Sequence, residues 1–412
     1  MIAYERTTLA NGLTVAVNRD RASKLAAVNI LYKVGARNEN PARTGFAHLF
    51  EHLMFRGTRE VPNFDLPVQM ASGDNNAFTN NDYTDFYITL PKDNLETALW
   101  LESDRMEGLE ITPEKLAAEK KVVIEEFRQR YLNQPYGDQT MLLRALAYKV
   151  HPYRWAAIGL TTEHIASASP DDVGEFYRTH YHPSNAILSI SADMEEERML
   201  ELAEKWFGGL PDTPRPAAPI PQEPPQEAPR REEVERDVPA TTVTVAYRMG
   251  TRTSPDFYTA DLVSDLLSGG DSGRLYRHLV KERRLLSSVN AYVTGDLDPG
   301  LFVFTGQLLP GVAPEAAEAA FRKEIEALRT DPISQYETEK VKNKFEANTL
   351  FGELNVMNKA MNLGFYEMLG DLPLINGEVA RYRAVSDEDI RASAAARYRP
   401  ENASTLIYKA RK

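Results

Sequence analysis

Two stretches of this chain read as copies of one another, and a copied chain has to bury two cores. Val28-Asn29-Ile30-Leu31-Tyr32-Lys33-Val34-Gly35-Ala36-Arg37 is matched by Val243-Thr244-Val245-Ala246-Tyr247-Arg248-Met249-Gly250-Thr251-Arg252, with Gly250 standing 215 places after Gly35. Further on, Ser169-Pro170-Asp171-Asp172 leads to Tyr181-His182-Pro183-Ser184-Asn185. That pattern returns as Ser386-Asp387-Glu388-Asp389 leading to Tyr398-Arg399-Pro400-Glu401-Asn402, with Asn402 217 places after Asn185. Two matches at nearly one offset imply a tandem duplication. Each half mixes alternating β-rich runs, such as Leu13-Thr14-Val15-Ala16-Val17, with longer helical patterns. The expected class is α+β, two homologous domains of α/β-sandwich type. Between them, Pro211, Pro214, Pro216, Pro219, Pro221, Pro224, Pro225, Pro229 and Pro239 bar a helix or a central strand, so this stretch reads as an extended linker. The expected division is a first domain over 1–210, a linker over 211–239 and a second domain over 240–412. A length of 412 residues suits two domains.

The chemistry is concentrated in His48-Leu49-Phe50-Glu51-His52. Thr44 reads as the N-cap of a helix on which Phe46, Leu49, Phe50, Leu53 and Met54 form an apolar stripe. His48, Glu51 and His52 then fall on the opposite face, one turn apart. A solvated polar face is the plain reading of such residues. Two imidazoles at i, i+4 can also share one zinc ion, with the carboxylate between them free to act as a base. A third ligand is sought among acidic residues that face inward on another helix. Thr112 to Arg130 reads as that helix, opened by Pro113 at its first position, with Leu116, Val122, Val123 and Phe127 inward. Glu125 sits between Lys121 and Arg128 and reads as a surface carboxylate. Glu126 falls on the apolar stripe, with Glu119 two turns earlier on the same face. A buried carboxylate needs a partner, either a metal or an arginine.

These residues resemble the pitrilysin family of zinc peptidases, which includes insulin-degrading enzyme and the mitochondrial processing peptidase. The resemblance implies Zn2+ held by His48, His52 and Glu126, with Glu51 as the catalytic base and Glu119 supporting the site. Asn76-Ala77-Phe78-Thr79, continuing to Asp82-Tyr83-Thr84, is similar to the family strand that pairs with substrate backbone. It implies substrate binding by Asn76, Ala77 and Phe78. The chain would form half of a clamshell. Family members with full activity also supply an arginine and, seven residues later, a tyrosine from a C-terminal domain. Aligned on Leu279, Leu285 and Val289, those places hold Val280 and Ser287 here.

The function implied is a zinc metalloendopeptidase subunit acting on extended or unfolded peptides, completed by a homologous partner that carries the arginine and tyrosine. The alternatives are a non-catalytic subunit, like the peptidase-derived core proteins of respiratory complexes, and a self-sufficient homodimer. The duplication offers an internal comparison. Adding the same offset to 48, 51 and 52 gives Val263, Leu266 and Leu267, so the second half lacks every metal-site side chain.

Composition bounds the rest. A net charge of −12 disfavours nucleic acid as a main partner. The absence of cysteine excludes disulfides and thiolate zinc sites. No run approaches the roughly 18 apolar residues needed to span a bilayer. With no apolar leader at Met1, the expectation is cytoplasmic as the sequence stands, or periplasmic if a signal segment has been removed. Gly269-Gly270-Asp271-Ser272-Gly273-Arg274 lacks the lysine-serine of a phosphate loop and reads as a helix C-cap. His180-x-His182 lacks the acidic company of a second metal site.

Overall fold

The computed structural model describes residues 1–214 and 216–411. Strand alternation in the first half builds a six-stranded mixed sheet from β1 (Glu5–Thr8), β2 (Thr14–Arg19), β3 (Leu25–Tyr32), β4 (Asp74–Thr79), β5 (Thr84–Pro91) and β6 (Ala186–Ala192). The order is β1-β2-β6-β3-β5-β4. The second half builds a five-stranded sheet from β7 (Arg230–Arg236), β8 (Thr242–Arg248), β9 (Leu286–Val293), β10 (Leu301–Leu308) and β11 (Ala403–Ala410), ordered β7-β11-β8-β10-β9. The two orders superimpose strand for strand once β1 is set aside. Each contains one parallel pair at the equivalent place, β2–β6 and β11–β7. The duplication therefore extends to topology.

The helices used below are α1 (Phe46–Leu53), α2 (Leu95–Glu107), α3 (Pro113–Phe127), α4 (Gln139–Ala147), α5 (Pro170–His180), α6 (Pro255–Ser268), α7 (Val356–Met368) and α8 (Asp387–Arg397). The duplicated Ser-x-x-Asp patterns are capping boxes at the starts of α5 and α8. Gly269 is the C-cap of α6, so the glycine-rich run is a helix end, as expected.

The chain separates into two compact units that are not contiguous in sequence. One comprises 1–128, 155–221 and 350–377; the other comprises 129–154, 222–349 and 378–412. This differs from the division at 210 and 240 read from the sequence, for two reasons. First, residues 230–236, read as the end of the linker, form the edge strand β7, in which exposed charged residues alternate with half-buried ones that are charged too, save Val234. An edge strand with water along one side tolerates that composition. Second, one helix from each half of the sequence belongs to the unit whose sheet is built from the other half. Leu143, Leu146 and Ala147 of α4 pack on Ala246, Leu301, Val303 and Leu406 of the second sheet. Val356 and Ala360 of α7 pack on Ala27 of β3. There α7 runs so close that a Cβ on Gly364 would stand 2.8 Å from Asn29 Oδ1, so only glycine fits. Lys359 with Asp20 and Arg6 with Glu367, both at 2.7 Å, secure the same helix.

On the other face of the first sheet α1 is wedged by aromatic packing. Phe50 lies 5.2 Å from Tyr181 and 5.3 Å from Phe176, ring centre to ring centre. In the second unit the positions equivalent to the pentapeptide, Val263, Leu266 and Leu267 on α6, are buried in an apolar core. Among the described residues no helix is long and apolar enough to cross a membrane.

Candidate metal centre

The N-terminus of α1 is built differently from the sequence expectation. Thr44 is not the cap. The N-cap is Gly45, at φ +88°, where a Cβ would meet the Ile158 carbonyl oxygen at 2.6 Å. That turn swings Thr44 away, and its Oγ1 lies 2.8 Å from His164 Nδ1 and accepts the Leu160 N–H at 2.8 Å. The first amides of the helix donate instead to a carboxylate from outside it. Glu39 accepts from Gly45 N and Ala47 N, each at 2.9 Å. Beyond the cap, Phe46, Leu49, Phe50, Leu53 and Met54 are buried, as the stripe requires. His48 is nearly buried, while Glu51 and His52 are half-buried.

The second helix, α3, opens as expected. Thr112 Oγ1 accepts from Lys115 N at 3.2 Å, and Pro113 sits in the first turn. The α-helix ends at Phe127, and 128–132 continue as a π-helical turn. Leu116, Val123 and Phe127 are buried, but Val122 is 44% exposed. The inward stripe is narrower than the sequence reading, and Val122 lies a full 100° from Val123 on the helix wheel. Glu125 points outward and stands 3.6 Å from Arg128, matching its reading as a surface group.

Glu126 faces α1. Its Oε2 lies 3.6 Å from His48 Nε2 and 3.4 Å from His52 Nε2. One ligand atom from each of the three residues lies within 4.8 Å of the others, and this is the one such group of three among the described residues. Ligand atoms about 2.0–2.1 Å from a tetrahedral zinc stand roughly 3.4 Å apart. The observed carboxylate–imidazole distances match that spacing, so the donor set fits a single zinc ion. Behind it, Glu119 is 2% exposed, with Oε2 3.3 Å from His52 Nδ1 and Oε1 paired with Arg56. A carboxylate on the far ring nitrogen fixes a ligand histidine's tautomer and orientation. Burial alone would lower the His52 imidazole, but Glu119 and Glu126 outweigh it and hold the pKa up at about 9. This is the electrostatic mark of a site that favours a cation. Glu51 lies on the side toward β5, where its charge adds to burial, Asp85 and Asp74 in raising the Tyr87 phenol.

Asn76, Ala77 and Phe78 lie on β4, the last strand of the first sheet. Asn76 is exposed, Ala77 and Phe78 are half-buried, and Ala77 N–H donates to Asn76 Oδ1 at 2.8 Å. This edge belongs to the same unit as α1 and α3. In the other unit Val280 lies in a π-helical turn, packed against the core. Ser287 is exposed on β9 and donates to Gln307 Oε1 at 3.1 Å. His182 bonds Asp212 at 2.9 Å and His180 is buried, and the pair forms no three-ligand group among the described residues. Two members of the site went unseen in the sequence. Glu39 carries no local signal, because its partners are six to eight places along the chain and its helix is not its own. Arg56 lies one turn after His52, and that spacing could have announced it.

Comparison with known proteins gives the family. Residues 14–155 match the model of the insulinase family, peptidase family M16, and residues 167–345 match the M16 inactive domain. The second match contains none of the site residues. A zinc protease of Helicobacter pylori, PqqE, is 32% identical over 345 residues, covering 82% of this chain and 78% of that one. A probable mitochondrial-processing peptidase subunit beta of Arabidopsis thaliana is 24% identical over 310 residues, covering 72% of this chain and 58% of that one. The crystal structure of a protease from Helicobacter pylori superimposes with a TM-score of 0.94 at 29% identity, over 99% of this chain and 100% of that one. On this evidence of sequence and fold together, the chain belongs to the insulinase family of zinc peptidases, family M16.

Proposed function

We propose that the chain is the zinc-bearing subunit of a metalloendopeptidase that hydrolyses extended or unfolded peptides. The observation that carries this reading is the convergence of His48, His52 and Glu126 at zinc-ligand spacing, with Glu51 on the same helix face. A zinc ion held there supplies a Lewis acid for the peptide carbonyl and brings the pKa of water toward about 7. Glu51 takes the proton of the attacking water and delivers it to the leaving amine. Glu119 orients His52 through Nδ1. The outer edge of β4 pairs with the peptide backbone, a mode that is loose in sequence and demands an extended substrate.

Val280 and Ser287 offer neither the cationic nor the phenolic donor expected opposite the metal, so a homologous partner completes the site. The same departure favours a second reading, a non-catalytic structural subunit, but such a subunit has no use for the assembled ligand set. Metal analysis of the purified chain, together with a peptide-cleavage assay with and without the homologous partner, separates them. Stoichiometric zinc with partner-dependent cleavage is expected. A chain without zinc, or without cleavage in either assay, would sink the proposal.

A further inference from the structure

The helix that carries both histidines is capped by a buried carboxylate that a helix of this kind does not ordinarily need. Glu39 is 6% exposed, and its two oxygens accept from Gly45 N, Ala47 N and, at 3.1 Å, Trp155 Nε1. A serine, threonine or aspartate at the cap position itself is the usual way to satisfy such amides. The second copy of the fold is built differently, with no side-chain cap bond at the start of α6. The position equivalent to Glu39 is Ser254, which is itself the N-cap residue of α6. Glutamate occurs in the copy that has the metal-site residues and is absent from the copy that lacks them.

Glu39 also reaches in a second direction. It ends the short helical turn Ala36–Asn38, and that turn is hydrogen-bonded to the loop joining β4 and β5. Ala36 N donates to Asn80 O at 3.1 Å and Arg37 N to Asn81 O at 2.8 Å. Arg37 stands 3.4 Å from Asp82. Trp155 Nε1 bonds Ala36 O at 3.0 Å as well as Glu39, closing the loop on itself. Gly35 packs against the same residues so tightly that a Cβ there would meet Asp82 N at 2.5 Å. One continuous set of short contacts therefore runs from the β4–β5 hairpin, through the turn and Glu39, to the residue before His48. Burial pushes the Glu39 carboxyl up to about 8, against the amides of Ala47 and Gly45 and the Trp155 indole, which favour its charge.

We propose that Glu39 is a positioning residue, whose side-chain carboxyl group locks the zinc helix in register with the peptide-binding edge strand. Its purpose is to keep His48 and Glu51 at a fixed place relative to a peptide lying on β4. The inference rests on the zinc-peptidase reading above for its purpose, but the lock itself is testable without metal. Glu39→Gln keeps size and shape while replacing one acceptor oxygen by an amide group that can only donate. In the metal-free chain, amide hydrogen exchange should quicken together at residues 46–49 and at 80–83, with the strands β2 and β6 unchanged. Zinc affinity, measured by competition with a chelator, should fall by about 5-fold, the ratio that the loss of a typical helix cap amounts to. Exchange that quickens in α1 alone would overturn the lock. So would zinc affinity within twofold of the native chain. If Glu39→Gln fails to fold, Glu39→Asp is put through the same two measurements. Failure of both to fold would overturn the proposal by making Glu39 a folding residue. Should the native chain bind no zinc, the function proposed above falls, and the exchange experiment alone decides the lock.

Discussion

At the scale of single residues, the roles divide by what each atom can reach. Glu51→Gln should leave zinc bound, because His48, His52 and Glu126 are untouched. Hydrolysis by the assembled enzyme should drop by about 10²–10⁴, since an amide cannot take the water's proton. Zinc content by elemental analysis and kcat/KM on a fluorogenic peptide check this; retained hydrolysis would refute the assignment. A second residue contributes to the loss of stability in acid. His180 ends α5, where the helix dipole would favour its cation. Burial outweighs that and, helped by the charge of His182, pulls the imidazole from 6.5 down to about 4. The unfolded chain therefore binds more protons between those values, and stability falls as pH drops from 6.5 toward 4. The slope this one residue imposes is worth roughly 3 kcal/mol at most. Denaturant melts at pH 7 and pH 4.5 should show a smaller difference in His180→Asn than in the native chain. Much of the site was legible at this scale, because helical spacing puts His48, Glu51 and His52 on one face and Arg128 draws Glu125 outward. Glu39 was not legible, since a long-range cap has no local pattern.

At the scale of elements, two junctions matter. The first is between α1 and α3, joined through Glu126 to both histidines. Removing zinc with a chelator should lower the melting temperature without unfolding the chain, because Leu49, Phe50, Leu116 and Val123 stay buried in apolar cores. Re-adding zinc to 100-fold above Kd should restore about 2.7 kcal/mol. Scanning calorimetry checks this, and no shift on metal removal would contradict it. The second junction is the free edge of β4. Ala77→Pro deletes an amide that donates to the neighbouring Asn76 side chain, and proline is tolerated on edge strands. The variant should fold and bind zinc normally, yet lose at least several-fold in kcat/KM, one backbone hydrogen bond being worth about 0.5–1.5 kcal/mol. Unchanged kinetics would remove β4 from the substrate path. The sequence showed β4 through its resemblance, but it disguised β7, because Arg230–Arg236 reads as a charged tail until a neighbour strand pairs with it.

At the scale of the whole molecule, the expected behaviour is dependence on a second chain. Alone, the protein should bind zinc and cleave peptides slowly. A homologue carrying the missing donors should raise the rate by about 10²–10³, the usual value of one such donor to a developing oxyanion. Assay of the chain alone and of the reconstituted pair decides it, and full activity from the chain alone would exclude the partner. By itself the sequence determined the duplication, the strand-rich character of each half and the helical face that His48, Glu51 and His52 share. All of these rest on spacing along the chain, where periodicity and offset carry the information. It could not determine which helix covers which sheet. The helices at 139–147 and 356–368 each cover a sheet built mainly from the other half, and a local amphipathic pattern does not say whose surface will bury it. Only tertiary packing assigns them, because burial of an apolar face is indifferent to where along the chain its partner surface comes from.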